Sequence, residues 1–323
     1  MHRRRLLQWG SSALLAPTLI AGCHPGAMAG IGDATSMLSE GGDTLVPGQR
    51  RLTDFGLQLS TLTPLMLANF EGTLETVAAI GYSQVEFSAM GFLGRTPQRV
   101  QELLNNHGLT APVGRITPSL PAGFNALPRA EAMQVYRARS HPDRLLENVK
   151  YSLEGATVLG QKYLNLPALM PDQFQSMDQV KQNIEQLNHA GELCADAGVL
   201  FGYHNHDWEL TPIDGVIPYQ LMLSATEADK VGFQLDAYWI VKGGGDLTVY
   251  LNDHPGRFPS CHLKDITADG DFEDVGYGQI NFAQFIPDAQ ASGTHHFFVE
   301  RDNPPAPEAS IRRSYTYLNN LRF

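Results

Sequence analysis

The chain has 323 residues, a formal net charge of −11, and 43% hydrophobic and 18% charged residues. That is the balance of a soluble globular protein with enough apolar material for a sizeable core. The negative charge argues against a nucleic-acid partner, since such affinity rests on Lys and Arg neutralising phosphates, and leaves a small neutral or cationic molecule as the expected substrate.

The N-terminus differs from the rest. "HRRRLLQWGSSALLAPTLIAGC" has a basic start, a modestly apolar stretch and small residues before Cys23. This is the anatomy of an export signal and is too short for a membrane span. Arg3, Arg4, Leu6 and Leu7 resemble a twin-arginine signal, and "IAGC" at 20–23 resembles a lipoprotein cleavage box that would leave Cys23 acylated. "AMA" at 27–29 offers a competing site for release of a soluble product. The expectation is a signal region over 1–29 and a Gly-rich polar tether over 30–51. The protein then works outside the cytoplasm, periplasmic or held to the membrane only through a lipid anchor.

From residue 52 onward the pattern repeats. "FGLQLSTL" (55–62), "QVEFSAM" (84–90), "TAPVGRI" (110–116), "KYLNLPAL" (162–169), "VLFGYHNH" (199–206), "VGFQLDAYW" (231–239), "PSCHLKDI" (259–266) and "HHFFVERD" (295–302) read as eight strands. Between most of them lie segments with helical apolar spacing, such as "LETVAAIG" and "IEQLNHAGELCADAG", often ending at a capping glycine. Strands alternating with helices imply parallel pairing through right-handed crossovers. Eight such units over 52–323 predict a (β/α)8 TIM barrel. The competing open doubly wound sheet lacks its usual Gly-rich loop after the first run. Of the three cysteines, Cys194 and Cys261 read as small core residues.

In a barrel the active site lies at the C-terminal ends of the strands. Here those ends carry Glu86 on the second run, His204 and His206 on the fifth, Asp236 on the sixth, His262 on the seventh with Lys264 and Asp265 beyond it, and Glu300 on the eighth with Asp302. Each interrupts an apolar stretch, where an unpaired charge is costly to bury. Singly, each has a structural explanation: Asp265 and Asp302 as caps or loop residues, Lys264 as their partner, Glu86 as the partner of Arg115. Together, His, Asp, His and Glu on four successive strand ends form a mixed nitrogen and oxygen set suited to one divalent ion: Mn, Fe, Co or Zn. In "GYHNHDWEL" (202–210) the i, i+2 spacing sends His204 and His206 to one face.

The order of these residues, with "QLDAYW", "HLKD" and "FVERD" on the last three strands, resembles the xylose isomerase-like TIM-barrel superfamily, also called sugar phosphate isomerase/epimerases. The resemblance implies one divalent ion held by a glutamate on strand five, an aspartate on six, a histidine on seven and a glutamate on eight. The last three match Asp236, His262 and Glu300. At strand five His204 stands in the glutamate's position, as in a "YHNH" subgroup, with His206 as the competing ligand. The expected chemistry is abstraction of a proton next to a carbonyl of a sugar or keto-sugar, giving isomerisation or epimerisation. A lyase or hydratase acting on keto-sugars or keto-glycosides is the close alternative, because the strand-five member of the family's acid/base pair is missing. A non-catalytic sugar-binding lipoprotein is a reading of another class. The endonuclease branch of the superfamily would require a larger metal cluster and a basic groove. Glu300, His206, Glu86 and Lys264 are the candidates for proton transfer and charge stabilisation. Glu209, Trp208, Trp239 and Arg115 are the candidate substrate contacts.

Overall fold

The computed structural model describes residues 50–323. The expected export signal, with Cys23, and nearly all of the expected tether lie outside the described residues. Eight short strands, β1 (Gly56–Gln58), β2 (Gln84–Glu86), β3 (Val113–Arg115), β4 (Tyr163–Leu166), β5 (Leu200–His204), β6 (Val231–Asp236), β7 (Ser260–Leu263) and β10 (His296–Val299), form one parallel sheet. Its order is β2-β1-β10-β7-β6-β5-β4-β3, the cyclic order of a TIM barrel. A hairpin of β8 (Asp265–Ile266) and β9 (Phe272–Glu273) follows β7. The eleven α-helices among the described residues are α1 (Thr63–Ala68), α2 (Phe70–Ile80), α3 (Pro97–His107), α4 (Arg129–Arg139), α5 (Leu145–Leu159), α6 (Met177–Asp196), α7 (Pro218–Ala225), α8 (Ala237–Lys242), α9 (Leu247–Asp253), α10 (Phe282–Ala291) and α11 (Pro307–Asn320).

Parallel strands are covered on both faces, which is why their sequences read as near-continuous apolar runs. Every residue of β6 is buried: Phe233 and Leu235 belong to the core cluster, while Gln234 reaches across the lumen to Glu86. Helix ends follow local chemistry. Asn69 and Ser176 cap α2 and α6 by accepting from Gly72 N and Gln179 N, and Gly81 closes α2 at φ 118°, a conformation that side chains disfavour.

The ladder is incomplete at one seam. Between β2 and the segment before β3, Thr110 N donates to Ser83 O and Val85 N to Thr110 O, but no ladder continues toward the C-terminal ends. Several strands are shorter than their apolar runs. Leu59–Leu62 turns into a 3-10 helix, and Ala237–Trp239 opens α8 because Asp236, at the end of β6, caps that helix by accepting from Trp239 N at 3.1 Å. Cys194 and Cys261 are buried and unpaired, as expected of core residues.

Candidate metal centre

The lumen at the C-terminal end is polar. In the sheet β10, β7, β6 and β5 are consecutive neighbours, and register sets Asp236 beside His262 and His204 beside Gln234. The loop after β10 adds Glu300, whose backbone N donates to Leu263 O. As a result one ligand atom each from His204, Asp236, His262 and Glu300 lies within 4.8 Å of the others, and all four residues are buried.

The distances within this group are short. His204 Nε2 is 3.2 Å from His262 Nδ1 and 3.4 Å from Asp236 Oδ2, and His262 Nδ1 is 2.9 Å from Glu300 Oε2. Asp236 divides its oxygens: Oδ1 caps α8, and the fully buried Oδ2 has no hydrogen-bond partner. Asn205 Oδ1 accepts from Asp236 N at 2.9 Å, tying the end of β5 to the end of β6. Such an orphaned buried oxygen beside two imidazoles and a second carboxylate fits a divalent cation with mixed nitrogen and oxygen donors.

Electrostatics agree with that fit. Burial pushes the His204 imidazole down to about 4, so it is neutral and able to ligate. Burial also opposes a charged His262, but the Glu300 and Glu86 carboxylates outweigh it and hold His262 well above its ordinary value. A proton on its Nδ1 satisfies Glu300; a cation held by the same four groups would replace that proton. Burial works against the charge on Asp236 and Glu300 too, yet the Lys264 ammonium outweighs it and keeps both below the usual carboxylate range. Lys264 itself is 2% exposed, 2.6 Å from Asp302 Oδ2, 3.2 Å from Glu300 Oε2 and 3.8 Å from Asp236 Oδ2. The rings of Trp239 and Phe272 lie about 5 Å from its Nζ.

Above the group lies a cleft of about 310 Å³ lined by Arg115, His204, His206, Trp239, Lys264, Glu300 and Asp302, among others. Of the two candidate histidines, His204 joins the cluster, while His206 lines the cleft with its ring packed flat on Trp208 at 4.2 Å.

Three residues stand elsewhere than the sequence suggested. Glu86 does not reach the cleft. It is fully buried on the far side of His262, with Oε2 accepting from Nε2 at 2.8 Å and from Gln234 at 3.0 Å, and Oε1 paired with Arg115 Nε at 2.8 Å. The His262 ring is thus gripped at both nitrogens, a carboxylate–histidine arrangement that fixes which nitrogen faces the cluster. Glu209 does not line the cleft either. It is buried under the β5 loop, accepting from the Tyr203 hydroxyl and from His206 N at 3.0 Å. Trp208 backs His206, donates its indole N–H to Leu169 O and is not among the residues that line the cleft.

Asp265 is a loop organiser: its carboxylate accepts from the backbone N–H groups of Ile266, Gly276, Gly278 and Ile280. Two residues were missed. Gln58, 1% exposed, lines the cleft with Nε2 unpartnered, and Ser60 Oγ donates to Glu300 Oε1 at 2.9 Å. A polar residue in the run "FGLQLSTL" was the available signal.

Residues 74–321 match the model of the xylose isomerase-like TIM barrel family. The chain belongs to that family. It is 26% identical over 208 residues to an inosose dehydratase of Geobacillus thermodenitrificans, covering 57% of this chain and 68% of that protein. Among solved structures it resembles a sugar phosphate isomerase/epimerase from Parabacteroides distasonis, with TM-score 0.67 and 24% identity over 85% of this chain and 94% of that one. It also resembles 3-keto-D-glucoside 4-epimerase from E. coli, with TM-score 0.61 and 15% identity over 83% and 99%. At these identities the structural likenesses show the fold.

Proposed function

We propose that the protein is a divalent-metal-dependent enzyme that removes a proton next to a carbonyl of a sugar or keto-sugar, in the manner of an isomerase or epimerase. The observation that carries this reading is the buried His204, Asp236, His262 and Glu300 set opening onto a cleft. A cation held there would act as a Lewis acid toward the oxyanion that forms as the proton leaves. The chain supplies the rest. Glu300 lines the cleft and takes the proton, with Ser60 orienting its carboxylate through Oε1. Lys264 holds a fixed positive charge at the cleft floor and stabilises the enediolate. Gln58 Nε2 and Trp239 Nε1, buried donors without protein partners, engage substrate oxygens. His206 is neutral because burial drives its pKa well below the ordinary value, and it faces the substrate as acceptor.

The substrate in this reading is a neutral sugar, keto-sugar or keto-glycoside. Both described cleft-lining cations carry internal counter-charges, Arg115 with Glu86 and Lys264 with Asp302 and Glu300, which leaves no free cation among the described residues there for a phosphate. A neutral substrate also suits export, which the Arg3–Arg4 pair and "IAGC" support.

One observation favours elimination as the second reading. The cleft-lining carboxylates, Glu300 and Asp302, both come from the end of β10, and none comes from β5. Exchange between two opposed carboxylates therefore lacks its second member, whereas β-elimination of water or an alcohol needs one base and one proton donor. The likeness to an inosose dehydratase supports the same reading.

Incubation of the manganese-loaded protein with keto-sugars and keto-glycosides in heavy water tests both. Deuterium at the carbon next to the carbonyl with the skeleton intact supports epimerisation, and an unsaturated product supports elimination. Binding with neither deuterium uptake nor product would leave a sugar-binding protein.

A further inference from the structure

A second cavity, of about 550 Å³, adjoins the first, and Ser88, Arg115 and Pro118 line both. It sits at the incomplete seam of the barrel. β2 and the segment before β3 are bonded at Ser83–Val85 and Thr110 only. The loops that follow the two strands, from Phe87 to Pro97 and from Arg115 to Ala126, wall the cavity. Its lining joins Phe87, Phe92, Leu93, Pro97, Leu120 and Phe124 with the uncharged polar Ser88, Thr117, Ser152 and Gln161. Leu93 adopts φ 52°, uncommon for a branched apolar residue. Gly91 and Gly94, at φ 65° and 85°, flank it, so the loop is folded to a specified shape.

The two arginines facing this cavity are already matched. Arg95 Nε pairs with Glu71 Oε1 at 3.1 Å and stacks over the Phe70 ring at 4.0 Å, and Arg115 pairs with Glu86 at 2.8 Å. Glu154 stands exposed at the rim. An uncharged apolar group, aromatic by preference, is therefore the complementary occupant. The size is informative too. The cleft over the metal ligands is the smaller of the two, and the seam cavity has room for a group at least as large as the ring reacting beside it.

We propose that the substrate is a keto-glycoside, its keto-sugar over the His204–Asp236–His262–Glu300 cluster and its apolar or aromatic aglycone in the seam cavity, with Arg115 at the boundary. This inference rests on the carbohydrate reading above and adds the class of the second substituent.

The test is equilibrium binding of methyl and phenyl keto-glucoside to the manganese-loaded full chain, followed by titration calorimetry. The parent should bind the phenyl keto-glucoside at least tenfold more tightly than the methyl keto-glucoside. In Leu120→Trp, which narrows the seam cavity, that ratio should fall toward one. Ala122→Trp, on the same wall, serves as a second variant if the first fails to fold. Equal affinities in the parent, or a phenyl preference that survives both tryptophan variants, would overturn the aglycone assignment and leave the carbohydrate reading standing. Failure of the parent to bind either keto-glucoside would remove both.

Discussion

β5, β6, β7 and β10 are consecutive in the sheet, and their C-terminal ends supply all four groups of the proposed metal centre. The ends of β1, β2 and β3, across the lumen, supply Gln58, Glu86 and Arg115. On the first side continuous ladders fix neighbouring strand ends to one another, so ligand positions are set by backbone register. On the second side the ladder is broken between β2 and β3, and side chains do the organising: Arg115 holds Glu86, Glu86 holds His262 from behind, and the loops around the break make a cavity. The first region is built for placement, which chemistry needs. On the second side the loops around the break, apart from the Glu86–His262 contact, can vary in shape without disturbing the ligands, which suits substrate selection.

If that division is right, substitutions on the two sides differ in kind. The largest effect belongs to the first. Glu300→Gln removes both a ligand and the proposed base, and should lower turnover by about a thousandfold or more with the circular dichroism spectrum retained. Less than a tenfold loss of proton exchange would move the base elsewhere. Glu86→Gln lies across the lumen and touches no substrate. It should weaken metal affinity by about 10- to 100-fold while leaving one ion bound at saturation, since it loosens the grip on His262 without removing a ligand. Unchanged affinity by calorimetry would reduce Glu86 to a structural ion pair.

A smaller effect concerns Glu209. Burial pushes its carboxyl from 4.5 up to about 8, against hydrogen bonds from Tyr203 and His206 N. A raised folded-state pKa means that this group's stabilising contribution is full below 4.5 and is lost as pH rises toward about 8. Within that window the loss runs at about 1.4 kcal/mol per pH unit. Urea unfolding across the window should show a correspondingly shallower decline in Glu209→Gln, which cannot ionise. Parallel pH profiles for parent and variant would refute the assignment. The smallest change is Trp208→Phe. It keeps a ring against His206 but deletes the bond to Leu169 O, and should cost about 1 kcal/mol of stability with metal content unaltered.

What the sequence disclosed follows the same division. The four residues of the proposed metal centre were legible because each is a polar interruption at the end of an apolar strand run, a place where burial demands a partner. The barrel was legible because the runs recur with helices between them. Strand lengths were overread where one apolar run passes from strand into helix, as at Ala237–Trp239 and Leu59–Leu62, since burial alone does not distinguish the two. The role of Glu86 was hidden because its partner His262 lies 176 residues away. Glu209 was misread for the opposite reason: its partners, Tyr203 and His206 N, are close in sequence, but the turn that folds it beneath β5 was not anticipated. The seam cavity is set by a missing ladder, which composition and periodicity do not report.

The central claim is that His204, Asp236, His262 and Glu300 hold one divalent ion. Calorimetric titration of manganese into the chelator-stripped full chain, beside Asp236→Asn and His206→Ala, tests it most directly. The account predicts one ion per chain in the parent, one in His206→Ala, and none in Asp236→Asn at the same concentrations, with all three proteins folded. Saturable binding in Asp236→Asn equal to the parent's, or no binding by the folded parent, would contradict it.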